Sequence, residues 1–148
     1  MNELNDQNDQ SLKIFVVLSR AYRSITDYTN KYIQQNEINP TEFGVLELLY
    51  HKGDQPLQHI GDKILLASGS ITYVVDKLEK KKLIRRVACP NDRRVTFAQI
   101  TDAGKKLIED IFPDHQKRID QIMEVLSEEE KRHLLDMLKK IGKSVPTE

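Results

Sequence analysis

Between Leu57 and Thr101 the apolar residues change period repeatedly, and few folds accommodate that order. Leu57, Ile60 and Ile64 recur at helical spacing, Ala67-Ser68-Gly69-Ser70 breaks the pattern, and Ile71, Val74, Val75 and Leu78 restart it. Leu83–Cys89 and Val95–Thr101 then carry β-branched and apolar residues on either side of Pro90-Asn91-Asp92-Arg93-Arg94, which predicts two strands joined by a turn. Helix, turn, helix and β-hairpin follow one another in about the smallest space that can hold them.

Ser68 is placed to cap the second of these helices, whose apolar stripe leaves Ser70, Thr72, Tyr73, Asp76 and Lys77 on the opposite side. A helix packed from behind and lined in front with short hydrogen-bonding groups can lie in a major groove and read base edges. The hairpin supplies charge. Lys80, Lys81, Lys82, Arg85 and Arg86 lie between that helix and the tip, and Arg93 with Arg94 stand at the tip itself. A tip one strand length beyond the helix would sit over neighbouring phosphates or enter the minor groove, where arginine is favoured by the strong negative potential.

The run Leu78-Glu79-Lys80-Lys81-Lys82-Leu83-Ile84-Arg85-Arg86, followed by Asp92-Arg93-Arg94 and Ile100-Thr101-Asp102-Ala103-Gly104, resembles the signature of the MarR family of winged helix-turn-helix regulators. The resemblance covers nearly the whole chain. It implies a mainly α fold with a small β-hairpin wing and N- and C-terminal dimerisation helices. It also implies a homodimer that binds a pseudo-palindromic operator in double-stranded DNA, as a repressor that a small phenolic or oxidising compound releases. Arg94 would be the minor-groove residue and Asp92 the carboxylate that orients it. Asn39-Pro40-Thr41-Glu42-Phe43 and Ser68 to Leu78 further resemble the MhqR-like branch of that family, whose members answer to quinones and hydroquinones. At Lys82 the family ordinarily has glycine. A left-handed lysine would cost on the order of 1 kcal/mol, which predicts a turn built differently.

The chain has 148 residues, the size of one domain with the arms that pair it with a copy of itself. The lobe is expected over about 37–104 and the arms over about 10–36 and 105–148. With 39% hydrophobic and 31% charged residues, no run long enough for a membrane span and no signal peptide, a cytoplasmic protein is expected. Net charge is zero, yet the bases gather between Lys77 and Arg94 while acids dominate Glu124–Glu130, and local concentration is what a polyanion meets.

Met1–Gln10 is polar and expected to fray. From Ser11 a seam of Phe15, Leu18, Tyr22, Ile25, Thr29 and Tyr32 predicts a long helix that needs a partner. Asn39-Pro40-Thr41-Glu42 starts a second helix, apolar almost all round and so buried. Gly53 ends it, Pro56 opens the next helix, and Gly61 lets the two helices of the pair approach. Thr101 caps a long helix with Pro113 inside it, where a bend is expected, and Ser127-Glu128-Glu129-Glu130 boxes the start of a last helix carrying Leu134, Leu135, Leu138 and Ile141.

Tyr22, Tyr28, Tyr50 and His51 could line a cleft for a flat aromatic inducer, although a tyrosine stripe at helical spacing also serves as core or dimer contact. Cys89 stands beside Arg85, Arg86, Arg93 and Arg94, a setting that favours thiolate and a redox role; the plainer reading is a packed strand residue. The histidines lack the spacing of a metal site, and phosphate loops, nucleophile elbows and other enzymatic motifs are missing, so no metal, cofactor or catalytic residue is expected. The remaining rival is a helical dimerisation module that binds other proteins and keeps the winged helix as scaffold. Concentrated arginine at the tip argues for DNA instead.

Overall fold

A computed structural model describes residues 3–64 and 70–146; the expected Ser68 cap lies outside them. The elements run α1 (Glu3–Gln34), α2 (Pro40–Lys52), β1 (Gln55–Pro56), α3 (Leu57–Lys63), α4 (Ser70–Lys80), β2 (Ile84–Ala88), β3 (Thr96–Ile100), α5 (Asp102–Met123) and α6 (Glu128–Ser144). One sequence expectation is corrected at once. Helix α1 begins at Glu3 and not at Ser11, because Met1–Gln10 contains no glycine or proline to stop a helix growing backwards from the periodic segment. Helix α5 is the long helix expected after Thr101, and it runs through Pro113, which removes one backbone donor without ending the helix.

Helix α2 is the centre of the lobe. Its start is a complete capping box: the Asn39 side chain accepts from the Glu42 N–H at 2.7 Å, and a Glu42 carboxylate oxygen accepts from the Asn39 N–H at 3.1 Å. Phe43, Val45, Leu46 and Leu49 are buried, and α1, α4, β3 and α5 all pack against this helix. The rest of the core comes from Ile33, Ile38, Ile60, Val74, Val75, Leu78, Ile84, Ala98, Ile100, Ile108 and Ile111, so α2, α3, α4 and both hairpin strands share one apolar cluster with α1 and α5. Gly53 closes α2 at φ 78° and ψ −166°, a conformation that only glycine enters readily.

The sheet has three antiparallel strands in the order β1-β3-β2. In the hairpin Ile84 faces Ile100 and Ala88 faces Thr96, as the two β-branched runs predict. The edge strand was not foreseen: Gln55 and Pro56 pair with Ala98 and Phe97, so Pro56 closes a strand and α3 begins at Leu57. Two residues carry no periodicity, and proline is tolerated on an edge because it has no N–H to donate to the ladder.

The join from α4 to β2 reverses another expectation. Lys82 is left-handed at φ 63°. Its N–H donates to the Glu79 carbonyl at 2.9 Å and the Leu83 N–H to the Leu78 carbonyl at 3.0 Å, the paired bonds of a Schellman cap. The turn thus keeps the geometry that glycine serves, with lysine bearing the strain. Lys82→Gly is therefore expected to raise stability by about 1 kcal/mol, read as a higher thermal midpoint.

Just beyond β3, the Thr101 hydroxyl accepts from the Gly104 N–H at 3.1 Å and donates to the Lys82 carbonyl at 2.8 Å. The Thr101 N–H donates to the Leu83 carbonyl at 3.0 Å. One threonine therefore caps α5 and ties it to the turn after α4. A Cβ on Gly104 would overlap the Leu83 carbonyl oxygen and come within 2.7 Å of Ile100 Cγ1. Gly61 is different: a Cβ there meets Ile71 at no less than 3.8 Å, ordinary contact, so close approach does not require glycine at that point.

Both arms leave apolar side chains in solvent. Leu12, Phe15, Val17 and Leu18 on α1, with Leu135, Leu138 and Ile141 on α6, are exposed, and α6 buries none of its residues within the chain. No helix among the described residues is long and apolar enough to cross a membrane.

Candidate nucleic-acid interface

Helix α4 turns Val74, Val75 and Leu78 into the core and leaves Thr72 and Tyr73 exposed on the other side, with the Tyr73 side open to solvent. Lys77 Nζ lies 5.4 Å from the centre of the Tyr73 ring, so its charge stays on this face. Ser70 is the first residue of the helix, and its side chain is outside the description. Asp76, which shares the polar face, is engaged: its carboxylate accepts from Arg86.

That contact belongs to a clamp. Arg86 Nη1 donates to Glu79 at 2.8 Å, Arg86 Nη2 to Asp76, and the Arg86 backbone N–H to Glu79 at 3.0 Å. The hydrogen bond and charge of Asp76, seconded by Glu79, raise the guanidinium pKa further above its usual value. Arg86 therefore fastens the first strand of the wing to α4. Arg85 is taken up as well: its Nε donates to Gln99, whose amide donates to Asp54 at 3.0 Å, crossing the sheet from β2 to the loop before β1. Lys81 points inward, to Glu42 at 2.8 Å. Three of the seven clustered bases are thus structural. Of the seven only Arg86 is partly buried, and Lys80, Lys81, Lys82, Arg85, Arg93 and Arg94 are exposed.

At the tip the turn between the strands puts Asp92 and Arg94 side by side. Asp92 Oδ1 accepts from the Arg94 backbone N–H at 3.0 Å and from Arg94 Nε at 3.1 Å, and Oδ2 lies 3.5 Å from Nη2. The backbone bond first and the guanidinium second hold the Asp92 carboxyl below its usual pKa. It stays ionised at neutral pH. The Arg94 side chain is 91% exposed, so it is fixed in direction by its own loop while its outer edge is free to donate elsewhere. Cys89 follows β2, half-buried, its N–H bonded to the Val95 carbonyl at 3.0 Å. Carboxylates pair with Arg86 and Arg94, while Arg85 meets only the neutral Gln99 amide, so the positive setting read from the sequence is compensated at two of its four arginines.

The four residues proposed for an aromatic ligand are not brought together within one chain. Tyr22 is exposed on the free half of α1. Tyr28 lines a cavity of about 370 Å³ with Ser24, Ile25, Gln121 and Ile122, and the Arg118 guanidinium lies 5.4 Å from its ring. Tyr50 borders a separate cleft near Lys82, Arg85 and Thr101, and its hydroxyl donates to Glu109 at 3.1 Å. His51 sits edge-on to Phe112 at 5.0 Å. Helical spacing aligned these rings along their own helices but could not fix how α1 and α2 face each other across α5.

The sequence reading also missed His115. Its ring is 4.9 Å from Phe43 and 6.4 Å from Phe112, and its Nδ1 is buried without a hydrogen-bond partner. Burial lowers its pKa, and the nearby Glu47 opposes that only in part. A histidine held below its ordinary value stabilises the fold fully above that value, and the contribution is lost as pH falls towards the folded pKa. Thermal stability is expected to decline below about pH 6.5, and His115→Phe to flatten that decline in melts taken across pH.

The chain is similar in sequence and in fold to known regulators. A MarR family profile matches residues 38–96. The HTH-type transcriptional regulator MhqR of Bacillus subtilis (strain 168) is 68% identical over 134 residues, covering 90% of this chain and 92% of that protein. The uncharacterized HTH-type transcriptional regulator YkoM of the same organism is 39% identical, covering 93% and 89%. Among solved structures, NadR in complex with 4-hydroxyphenylacetate superposes with a TM-score of 0.78 at 28% identity, covering 89% of this chain and 94% of that one. The fold of Sco3205 from Streptomyces coelicolor, solved in complex with DNA, is also similar, with a TM-score of 0.85 at 20% identity over 94% and 89%.

Proposed function

The chain belongs to the MarR family of transcriptional regulators, and from that we propose that it is a homodimeric repressor that leaves its operator when a small phenolic or quinone-type compound binds. It is a DNA-binding regulator that responds to small compounds. The observation that supports the contact surface best is the tip of the wing, where Asp92 fixes a 91% exposed Arg94 beside a helix presenting Thr72, Tyr73 and Lys77. In this reading Ser68, Ser70, Thr72 and Tyr73 meet base edges, Lys77 and Arg93 meet phosphates, and Arg94 enters the minor groove. The exposed apolar faces of α1 and α6 meet their counterparts on a second copy, setting two recognition helices about 34 Å apart on successive major grooves. No catalytic step belongs to this reading, and the protein acts in the cytoplasm.

For the inducer, the support is the cavity at Tyr28 and the resemblance to NadR, whose structure holds 4-hydroxyphenylacetate. An aromatic ring would lie against Tyr28 and Ile25, with Arg118 beside its polar edge. Binding at the arm favours a dimer whose helices are wrongly spaced for DNA. The test selects the operator from random duplexes, then adds hydroquinone or 4-hydroxyphenylacetate to the bound complex. Cys89→Ser is expected to release DNA as the native protein does, reversibly on dialysis. Loss of the response in that variant would make the thiol the sensor and overturn the pocket.

A further inference from the structure

We propose that the Lys81–Glu42 pair is a latch that sets the recognition helix against the dimerisation arm, so that Lys81 serves operator binding as a positioning residue and not as a phosphate contact. Glu42 is the one charged residue among the described residues that is buried, with its side chain 2% exposed. Both its oxygens are occupied: one accepts the Asn39 N–H at 3.1 Å, the other the Lys81 ammonium at 2.8 Å. The same ammonium donates to the Glu37 carbonyl at 2.9 Å. Three elements therefore meet at one nitrogen: the turn that ends α1, the capping box of α2 and the C-terminus of α4.

The turn is specific in shape. Glu37 is left-handed at φ 63°, and bonds from the Asn36 and Glu37 N–H groups to the Ile33 and Gln34 carbonyls wind the last residues of the arm tightly. On the other side Lys81 stands where the Schellman cap closes α4, so its backbone moves with that helix. Tilting the arm displaces the Glu37 carbonyl and the Asn39–Glu42 box together, and the ammonium carries α4 with them. A lysine reaching for phosphate would have to abandon a buried carboxylate, which is costly to leave unpaired. Buried ion pairs of this kind add little stability over an apolar pair but can hold one geometry against its neighbours.

The inference rests on the DNA-binding dimer proposed above, because only a dimer has a helix spacing to protect. Glu42→Gln tests it without altering a DNA-facing side chain. In a Cys89→Ser background with spin labels at Lys80→Cys, the distance distribution between the two α4 helices is measured on the free dimer. Glu42→Gln and Lys81→Met are each expected to broaden it at unchanged helix content and dimer mass. Operator affinity should fall about tenfold, with affinity for random DNA and the salt slope retained. Lys81→Arg should restore both readouts. A loss shared equally by operator and random DNA, with the salt slope smaller by about one, would identify a phosphate contact and overturn the latch. So would a narrow distribution with native operator affinity. Where Glu42→Gln does not fold, the apolar pair Glu42→Leu with Lys81→Met removes both charges, and a narrow distribution in it is equally fatal. A native protein that binds no DNA would overturn the proposed function while the distance measurement still decides the latch.

Discussion

Arg94→Ala is expected to weaken operator binding by about 2–3 kcal/mol, roughly 30- to 150-fold, while leaving helix content and dimer mass unchanged. Arg94 is 91% exposed and touches Asp92 of its own loop, so its removal costs the fold almost nothing. What is lost is a guanidinium already held at one angle, which binds without first surrendering rotamer freedom. In the minor groove that group reads width and potential more than base identity, so the variant should also lose preference for A·T-rich positions flanking the half-sites. Asp92→Asn should fall between native and Arg94→Ala, since it frees the arginine without deleting it. Lys77→Ala is the contrasting case, weakening all sequences alike and reducing the salt slope by about one. Fluorescence anisotropy on operator and scrambled duplexes at several salt concentrations separates the two patterns. Native affinity in Arg94→Ala would remove the wing from the interface.

Gly104→Ala is expected to destabilise the protein by about 3 kcal/mol or more, lowering the thermal midpoint by roughly 6–12 °C at fixed protomer concentration. The added methyl would overlap the Leu83 carbonyl oxygen, and a carbonyl is not the end of a flexible side chain that can swing aside. That oxygen already accepts the Thr101 N–H, and the residue before it is the left-handed Lys82, so the α4–β2 turn and the start of α5 must part for the methyl to fit. Because the turn also sets the root of the wing, operator affinity should fall in the folded fraction too. Gly61→Ala is the control. A Cβ there finds only ordinary contact, and replacing a helical glycine gains about 0.5–1 kcal/mol. A midpoint unchanged in Gly104→Ala would show that α5 can retreat from the turn.

The two glycines illustrate how far a linear reading reaches. Gly61 lies within the first helix of the predicted pair and was expected to let the second approach; Gly104 stood out only as part of a family signature. Close approach is a property of two distant segments, and Leu83 and Gly104 are neighbours only once the hairpin has folded back. The basic cluster shows the same limit. A count of seven cations between Lys80 and Arg94 says where positive charge accumulates, but Lys81 is neutralised by Glu42 and Arg86 by Asp76 and Glu79, leaving the outward field to fewer groups.

The sequence by itself determined the order of the helices and the hairpin, and several of the caps. Capping at Asn39, Thr101 and Ser127, the buried all-round apolar α2 and the paired strands at Ile84–Ala88 and Thr96–Ile100 are set by residues two to four apart, and such spacings are legible in one dimension. The tip pair Asp92–Arg94 was expected from the family resemblance, and the two residues do meet within one turn. Only the tertiary structure decided the latch of Lys81 on Glu42, the edge strand at Gln55–Pro56, the left-handed Lys82, the orphaned nitrogen of His115 and the separation of Tyr28 from Tyr50. In each of these a group's state depends on a partner supplied by a remote segment or on a strain the surrounding contacts outweigh. Local propensity carries no record of either, because both are fixed by how the layers pack.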